Sequence, residues 1–222
     1  MKLSKQTLDI LKNFSGINPG IVIRPGNYIS SKSESSTIIA EANVEDTFPH
    51  TVALYDINQF LGTLSEFGNP DIEFGEQLIT IREGKSSFQG RYASESMITQ
   101  YTKKLNMPDT VINFNLSQDD LGRLLSMANI QNLKTIAVTK NEDDKIILVA
   151  LDIDNNSEAT FTIETDSDAP AGDFKMLFDK SNLKFVKGDY AVGIAREGIA
   201  QFVNQNVDVT YSIATLDKSY FK

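Results

Sequence analysis

A chain of 222 residues, 41% of them hydrophobic and 23% charged, can bury a core and has room for one large domain or two of about 100 residues each. It contains no cysteine, which excludes disulfides, thiolate nucleophiles and metal sites built on sulfur. A formal net charge of −9 and an isoelectric point near 4.7 argue against nucleic-acid binding only if the charge is evenly spread, because an evenly acidic surface repels phosphate.

The opening MKLSKQTLDILKNF is charged throughout and lacks the apolar centre of a secretory signal. No apolar run approaches the roughly 18 residues of a membrane span, so a soluble intracellular protein is expected. The first predicted element is a helix from Ser4, with Leu8, Leu11 and Phe14 on one face, Lys5 and Lys12 opposite, and Gly16 at its end. Strands rich in Ile, Val and Thr follow at residues 20–24 and 37–43, separated by the turn signal Pro25-Gly26-Asn27. His50 sits beside Pro49 in a predicted loop. A second helix from Asp56 directs Phe60 inward and Asn58, Gln59 and Thr63 outward, and stops before Gly68. Residues 78–82 read as a strand running into the turn Glu83-Gly84-Lys85, and a polar stretch at residues 93–109, with Lys103, Lys104 and Pro108, reads as a connector.

A third helix starts at Ser117, where Asp120 three positions on resembles a capping box; Leu121, Leu124 and Leu125 face inward, Arg123 faces outward, and Asn129 marks the end. Strands at residues 135–139, 145–152 and 159–165 are punctuated by turns at 141–144 and 154–156. A fourth helix is expected from Asp179 to Gly188, with Leu183 and Val186 inward and Lys180, Lys184 and Lys187 along the outer face at spacings of four and three. The turn Glu197-Gly198 and a strand at residues 207–216 complete the chain.

These helices form two matching pairs. An offset of 113 residues places Leu3 on Leu116, Ser4 on Ser117, Leu8 on Leu121, Leu11 on Leu124, Phe14 on Met127 and Ile17 on Ile130, and a strand follows in both copies. Tyr55-Asp56 with Phe60 matches Phe178-Asp179 with Leu183 more loosely. The expectation is an α+β protein of two similar domains, residues 1–105 including the connector and 106–222, each an antiparallel sheet with two helices on one face.

Acidic residues on the helices cluster in the first turn, Asp9 excepted, whereas most other carboxylates fall on strands and hairpins, such as Glu41, Glu73, Glu164, Asp166 and Asp168. A basic helix side and an acidic sheet side can hold a polyanion on one face. The candidate polyanion-facing residues are therefore Lys5, Lys12, Arg123, Lys180, Lys184 and Lys187, which the resemblance described below would turn toward DNA; lysines at helical spacing are also what any solvated face carries. No catalytic or metal constellation stands out. One histidine cannot build a triad or a multi-histidine centre, and Asp152, Asp154, Asn155, Asn156 and Glu158 lack the central glycine and terminal glutamate of a calcium loop. No cofactor, metal or catalytic residue is assigned.

Met1-Lys2-Leu3-Ser4-Lys5, Leu11-Lys12-Asn13-Phe14, Ile17-Asn18 and Gly20-Ile21, followed by Ala40-Glu41-Ala42-Asn43, Ala53-Leu54-Tyr55-Asp56, Asn58-Gln59-Phe60-Leu61-Gly62 and Leu64-Ser65, resemble the sliding clamps of tailed phages in order and spacing. The second half is similar mainly in layout, as at Lys187-Gly188-Asp189-Tyr190, while the connector and the end at residues 218–222 depart from the family. The resemblance implies a non-catalytic homotrimer closed into a ring, helices lining a hole threaded by duplex DNA. Its implied partners are the replicative DNA polymerase, an ATP-driven clamp loader and late-transcription factors, in the cytoplasm of the infected bacterial host. A phage tail or capsid protein with duplicated β domains is the alternative.

Overall fold

Ser4 starts the first helix as its side chain requires. In the computed structural model its backbone is extended and its Oγ accepts the Thr7 N–H at 3.1 Å, satisfying one of the donors left free at the start of α1 (Lys5–Ser15). Residues 1–102, 105–154 and 159–222 are described; the connector's Lys103 and Lys104, most of the predicted turn at 154–156, and Glu158 lie outside them. The chain divides into two units, Met1–Lys104 and Leu105–Lys222.

In the first unit α1 buries Thr7, Ile10, Leu11 and Phe14 and packs on β3 (Ile38–Phe48). In β3, buried Ile38, Ala40, Ala42 and Val44 alternate with more accessible residues, the pattern of a strand with one covered face. β1 (Ile21–Ile23) pairs with β4 (Val52–Leu54), and β2 (Gly26–Lys32) with β3, all antiparallel. Pro25-Gly26-Asn27 is therefore a link between two differently paired strands, not the hairpin turn the sequence suggested. α2 (Ile57–Ser65) begins at Asp56, whose Oδ1 accepts the Asn58 N–H at 2.8 Å. The strands β5 (Asp71–Phe74), β6 (Leu78–Glu83) and β7 (Ser86–Arg91) form an antiparallel sheet, its hairpin turning at Gly84 with φ +57°. Met1 covers the β5 edge, its amino group donating to Ile72 O at 2.6 Å and its carbonyl accepting from Ile72 N at 2.7 Å. β7, at the other edge, is exposed along almost its whole length.

The second unit repeats the opening. Ser117 follows β8 (Thr110–Leu116), and its Oγ accepts the Asp120 N–H at 3.1 Å to start α3 (Gln118–Ile130). The helix ends where Asn132 takes φ +54°, a left-handed conformation that asparagine tolerates, while the Leu133 N–H returns to Ala128 O at 2.8 Å. α3 buries Leu121, Leu124 and Ala128 and packs on β10 (Lys145–Leu151) and β11 (Phe161–Asp168). With β9 (Thr135–Lys140), β12 (Phe174–Asp179) and the two-residue β16 (Tyr220–Phe221), these make an antiparallel sheet in the order β11-β10-β9-β12-β16. The strands β13 (Tyr190–Ala195), β14 (Ile199–Asn204) and β15 (Val209–Ala214) extend antiparallel from β8 in the order β8-β13-β14-β15.

The predicted fourth helix does not form. Asp179 does act as a cap, its Oδ1 accepting the Ser181 N–H at 2.7 Å, but it starts a single tight turn, Lys180–Asn182, and Leu183 leaves the helical region at ψ 55°. The Val186 N–H, which a helix would aim at Asn182 C=O, instead donates to Tyr211 Oη at 3.0 Å. Gly188 follows at φ +148°, which ends any helical course. The first unit thus carries two helices and the second, among its described residues, one helix and an irregular segment at residues 183–188.

Leu11 and Leu124 are each wholly buried at matching positions of α1 and α3. Leu11→Ala and Leu124→Ala should each cost about 2–5 kcal/mol of unfolding free energy in urea titrations, against about 1 kcal/mol for Ser117→Ala, which removes only a cap.

Candidate nucleic-acid interface

In the first unit α1 and α2 run past each other in opposite senses. Ser15 Oγ, at the end of α1, donates to Asn58 Oδ1 near the start of α2 at 2.9 Å. Between them lies a groove of about 560 Å³ with Leu3, Leu8, Leu61 and Leu64 in its walls and Lys2 and Lys12 at its margin. Lys12 is therefore where its helical position predicted; Lys5 is exposed on the same helix, outside this groove. Lys2, which precedes the helix and has no periodic signal, was missed. The groove's far rim is the turn at Gly68 and Asn69, fastened by Glu83, whose carboxylate accepts both N–H groups at 2.9 and 2.5 Å. Those two donors hold the Glu83 carboxyl below its ordinary pKa.

In the second unit Arg123 on α3 and Lys184 and Lys187 on the irregular segment line one groove of about 640 Å³. The expected helical stripe is absent, yet three of the four cations predicted in this half meet at one place. Lys180 goes elsewhere: its Nζ donates to Ala128 O at 3.3 Å, at the carbonyl end of α3, where the helix dipole favours a cation.

The rest of the charge is distributed differently. Ion pairs join Arg24 to Glu95 at 2.7 Å, Arg82 to Glu73 at 3.1 Å, Lys140 to Asp144 and Lys145 to Asp168 at 2.6 Å, and Lys218 to Asp154 at 3.7 Å, all on strands and loops. The hydrogen bond and charge of Asp168 push the Lys145 pKa up. Lys5, Lys12, Arg123 and Lys187 are exposed, and among the described residues none is within ion-pairing distance of a carboxylate. Exposed pairs add little stability each, but they cancel charge where they occur. These four cations are left unpaired beside the helices, where Asp9 and Asp119 also line the two grooves.

The sequence of the sliding clamp of Vibrio phage KVP40 is 34% identical over 220 residues, spanning 97% of this chain and 99% of that relative. This chain belongs to the phage sliding-clamp family. The profile of the DNA polymerase processivity factor family matches residues 2–98 and that of the gp45 sliding clamp C-terminal domain residues 113–216. The sliding clamp of Enterobacteria phage T4 is 28% identical, each chain covered to 96%. Two solved structures share the fold at low identity. The A. fulgidus PCNA bound to the C-terminal region of FEN-1 has a TM-score of 0.71 at 9% identity, with 98% of each chain covered. The Thermococcus kodakaraensis PCNA has a TM-score of 0.69 at 11% identity, with 97% of this chain and 99% of that one covered. The clamp is thus a processivity factor, and the tail or capsid alternative is left without support.

His50 is half-buried in the turn between β3 and β4, and among the described residues no three of His, Asp or Glu are grouped to hold a metal. No helix is long and apolar enough to cross a membrane.

The bonds to Glu83 have a defined pH signature. Because the folded carboxyl pKa is lowered, its contribution to stability is complete above the ordinary glutamate pKa and is lost as pH falls through the lowered value. NMR titration should find the Glu83 carboxyl midpoint below that of ordinary exposed glutamates; an ordinary midpoint would contradict the two bonds.

Proposed function

We propose that the clamp closes head to tail as a homotrimer around duplex DNA, with α1, α2, α3 and residues 183–188 toward the duplex, and tethers the replicative polymerase. The observation that carries this reading is where ion pairs fall: the five among the described residues lie outside α1, α2 and α3, while Lys5, Lys12, Arg123 and Lys187 have no carboxylate within ion-pairing distance. Uncancelled cations attract phosphates by releasing condensed counterions, and phosphate contacts carry no base information, so the ring holds DNA without stopping on any sequence. Lys2 lines the same groove as Lys12, with the Glu83 carboxylate in its electrostatic reach. Lys180 contributes its charge from the end of α3.

Two strand edges supply a means of closure. An open edge offers unpaired N–H and C=O groups to another chain, and a heterologous contact repeated head to tail makes a ring when its rotation closes. β7 is such an edge in the first unit and follows Lys85 to end at Arg91; β11 is the long edge of its sheet in the second unit and carries Glu164, Asp166 and Asp168. Pairing β7 of one protomer with β11 of the next opposes these charges.

Encirclement converts repeated encounters between polymerase and template into one tethered complex at high effective concentration. The clamp contributes position and charge, and the chemistry belongs to its partners. On this reading an ATP-driven loader opens the ring, late-transcription factors use it once loaded, and all of this takes place in the cytoplasm of the infected bacterium.

Sedimentation equilibrium should give three times the 24.6 kDa chain mass; a stable monomer at micromolar concentration would reject the ring. Reversing Arg123, Lys184 and Lys187 to Glu should leave the trimer and its melting intact. The same variant should lower the slope of log affinity for duplex against log salt by about 0.9 for each phosphate no longer neutralised, with a matching fall in product length from loader-dependent synthesis. Unaltered slope and product length would remove this groove from the DNA face.

A further inference from the structure

Val186 is held by two tyrosine hydroxyls at once. Its N–H donates to Tyr211 Oη at 3.0 Å, and its carbonyl accepts from the Tyr190 hydroxyl. Tyr190 begins β13 and Tyr211 lies in β15; their side chains are 1% and 0% exposed. The next peptides are fastened from the turn after β14, with Asn204 Nδ2 donating to Lys187 O at 3.3 Å and Asn206 Oδ1 accepting the Asp189 N–H at 2.9 Å. Between the lysines, the Phe185 ring stands among Tyr190, Phe202 and Tyr211 at centroid distances of 5.1, 4.8 and 4.7 Å.

Rings alone would fill that space. A phenylalanine at either position packs as well against Phe185, and a buried hydroxyl adds a polar group that must find a partner. Both hydroxyls find it on the same residue, in the middle of a segment that has given up helical hydrogen bonds and carries Lys184 and Lys187 on its exposed side. Burial raises the Tyr190 pKa to about 12 and pushes Tyr211 the same way, so both remain neutral hydroxyls at any working pH.

We infer that Tyr190 and Tyr211 are positioning residues for DNA contact: by bracketing the Val186 peptide they fix the irregular course that holds Lys184 and Lys187 beside Arg123. This rests on the reading that the groove faces DNA. An unanchored segment could carry the same charge, but it would lose freedom on every phosphate contact, whereas a segment already fixed binds without that cost.

The test uses the assembled trimer and a fluorescent duplex of about 30 base pairs, a length chosen to pass through the ring. It compares three proteins: wild type, Tyr190→Phe/Tyr211→Phe, and Lys184→Gln/Lys187→Gln. In the tyrosine variant, hydrogen exchange at the Val186 amide should accelerate at least tenfold while trimer mass is unchanged. Its salt slope should fall toward that of the lysine variant, by about 0.9 for each phosphate released. A lower slope in the lysine variant with a wild-type slope in the tyrosine variant overturns the positioning role and leaves the DNA face standing. A wild-type slope in the lysine variant overturns the DNA-facing reading and this inference with it. Should the double tyrosine variant fail to assemble, Tyr190→Phe and Tyr211→Phe are compared singly by the same two measurements.

Discussion

A helix laid on an antiparallel sheet buries one stripe of side chains, and the burial decides what the opposite stripe presents. Leu11 and Leu124 are wholly buried at equivalent places in α1 and α3, and their exclusion from water orients the two helices about their axes. Once those leucines face the sheet, Lys12 and Arg123 face outward with no freedom to do otherwise. The outward charge is thus a consequence of the core. The direction of these cations is thereby tied to the stability of the fold.

The acidic total then stops being an obstacle. Lys140, Lys145 and Arg82 meet carboxylates on nearby strands or turns, so part of the positive charge of the sheets is cancelled locally. Among the described residues, Lys5, Lys12, Arg123 and Lys187 are left unpaired beside the helices, and a local field depends on where charge is left over as well as on the sum. Net charge alone averages over regions whose local charge differs.

The second unit departs from the first in its second element. Its first helix and strand copy those of the first unit down to the capping serine, but the residues that should supply the second helix are recruited into an aromatic cluster instead. Arg123, Lys184 and Lys187 still line one groove. The segment at residues 183–188 carries Lys184 and Lys187, whereas α2, the corresponding element of the first unit, carries no Lys or Arg.

The sequence by itself determined whatever depends on near neighbours. Ser4, Asp56, Ser117 and Asp179 each accept the backbone hydrogen bond their side chains imply, the alternation in β3 marks its buried face, and the offset between the halves follows from the spacing of leucines. It also carried the family resemblance, which lies mostly in the first half. Tertiary structure decided what depends on distant partners. Val186 lies 25 residues from the tyrosine that takes its N–H, and Lys180 lies 52 from the carbonyl it caps; no local pattern reports either. Lys2 joins Lys12 only because α2 folds back beside α1. A helix is written in its own residues as a capacity, but whether it forms depends on whether its backbone groups find better partners elsewhere in the fold, and at residues 183–188 they do.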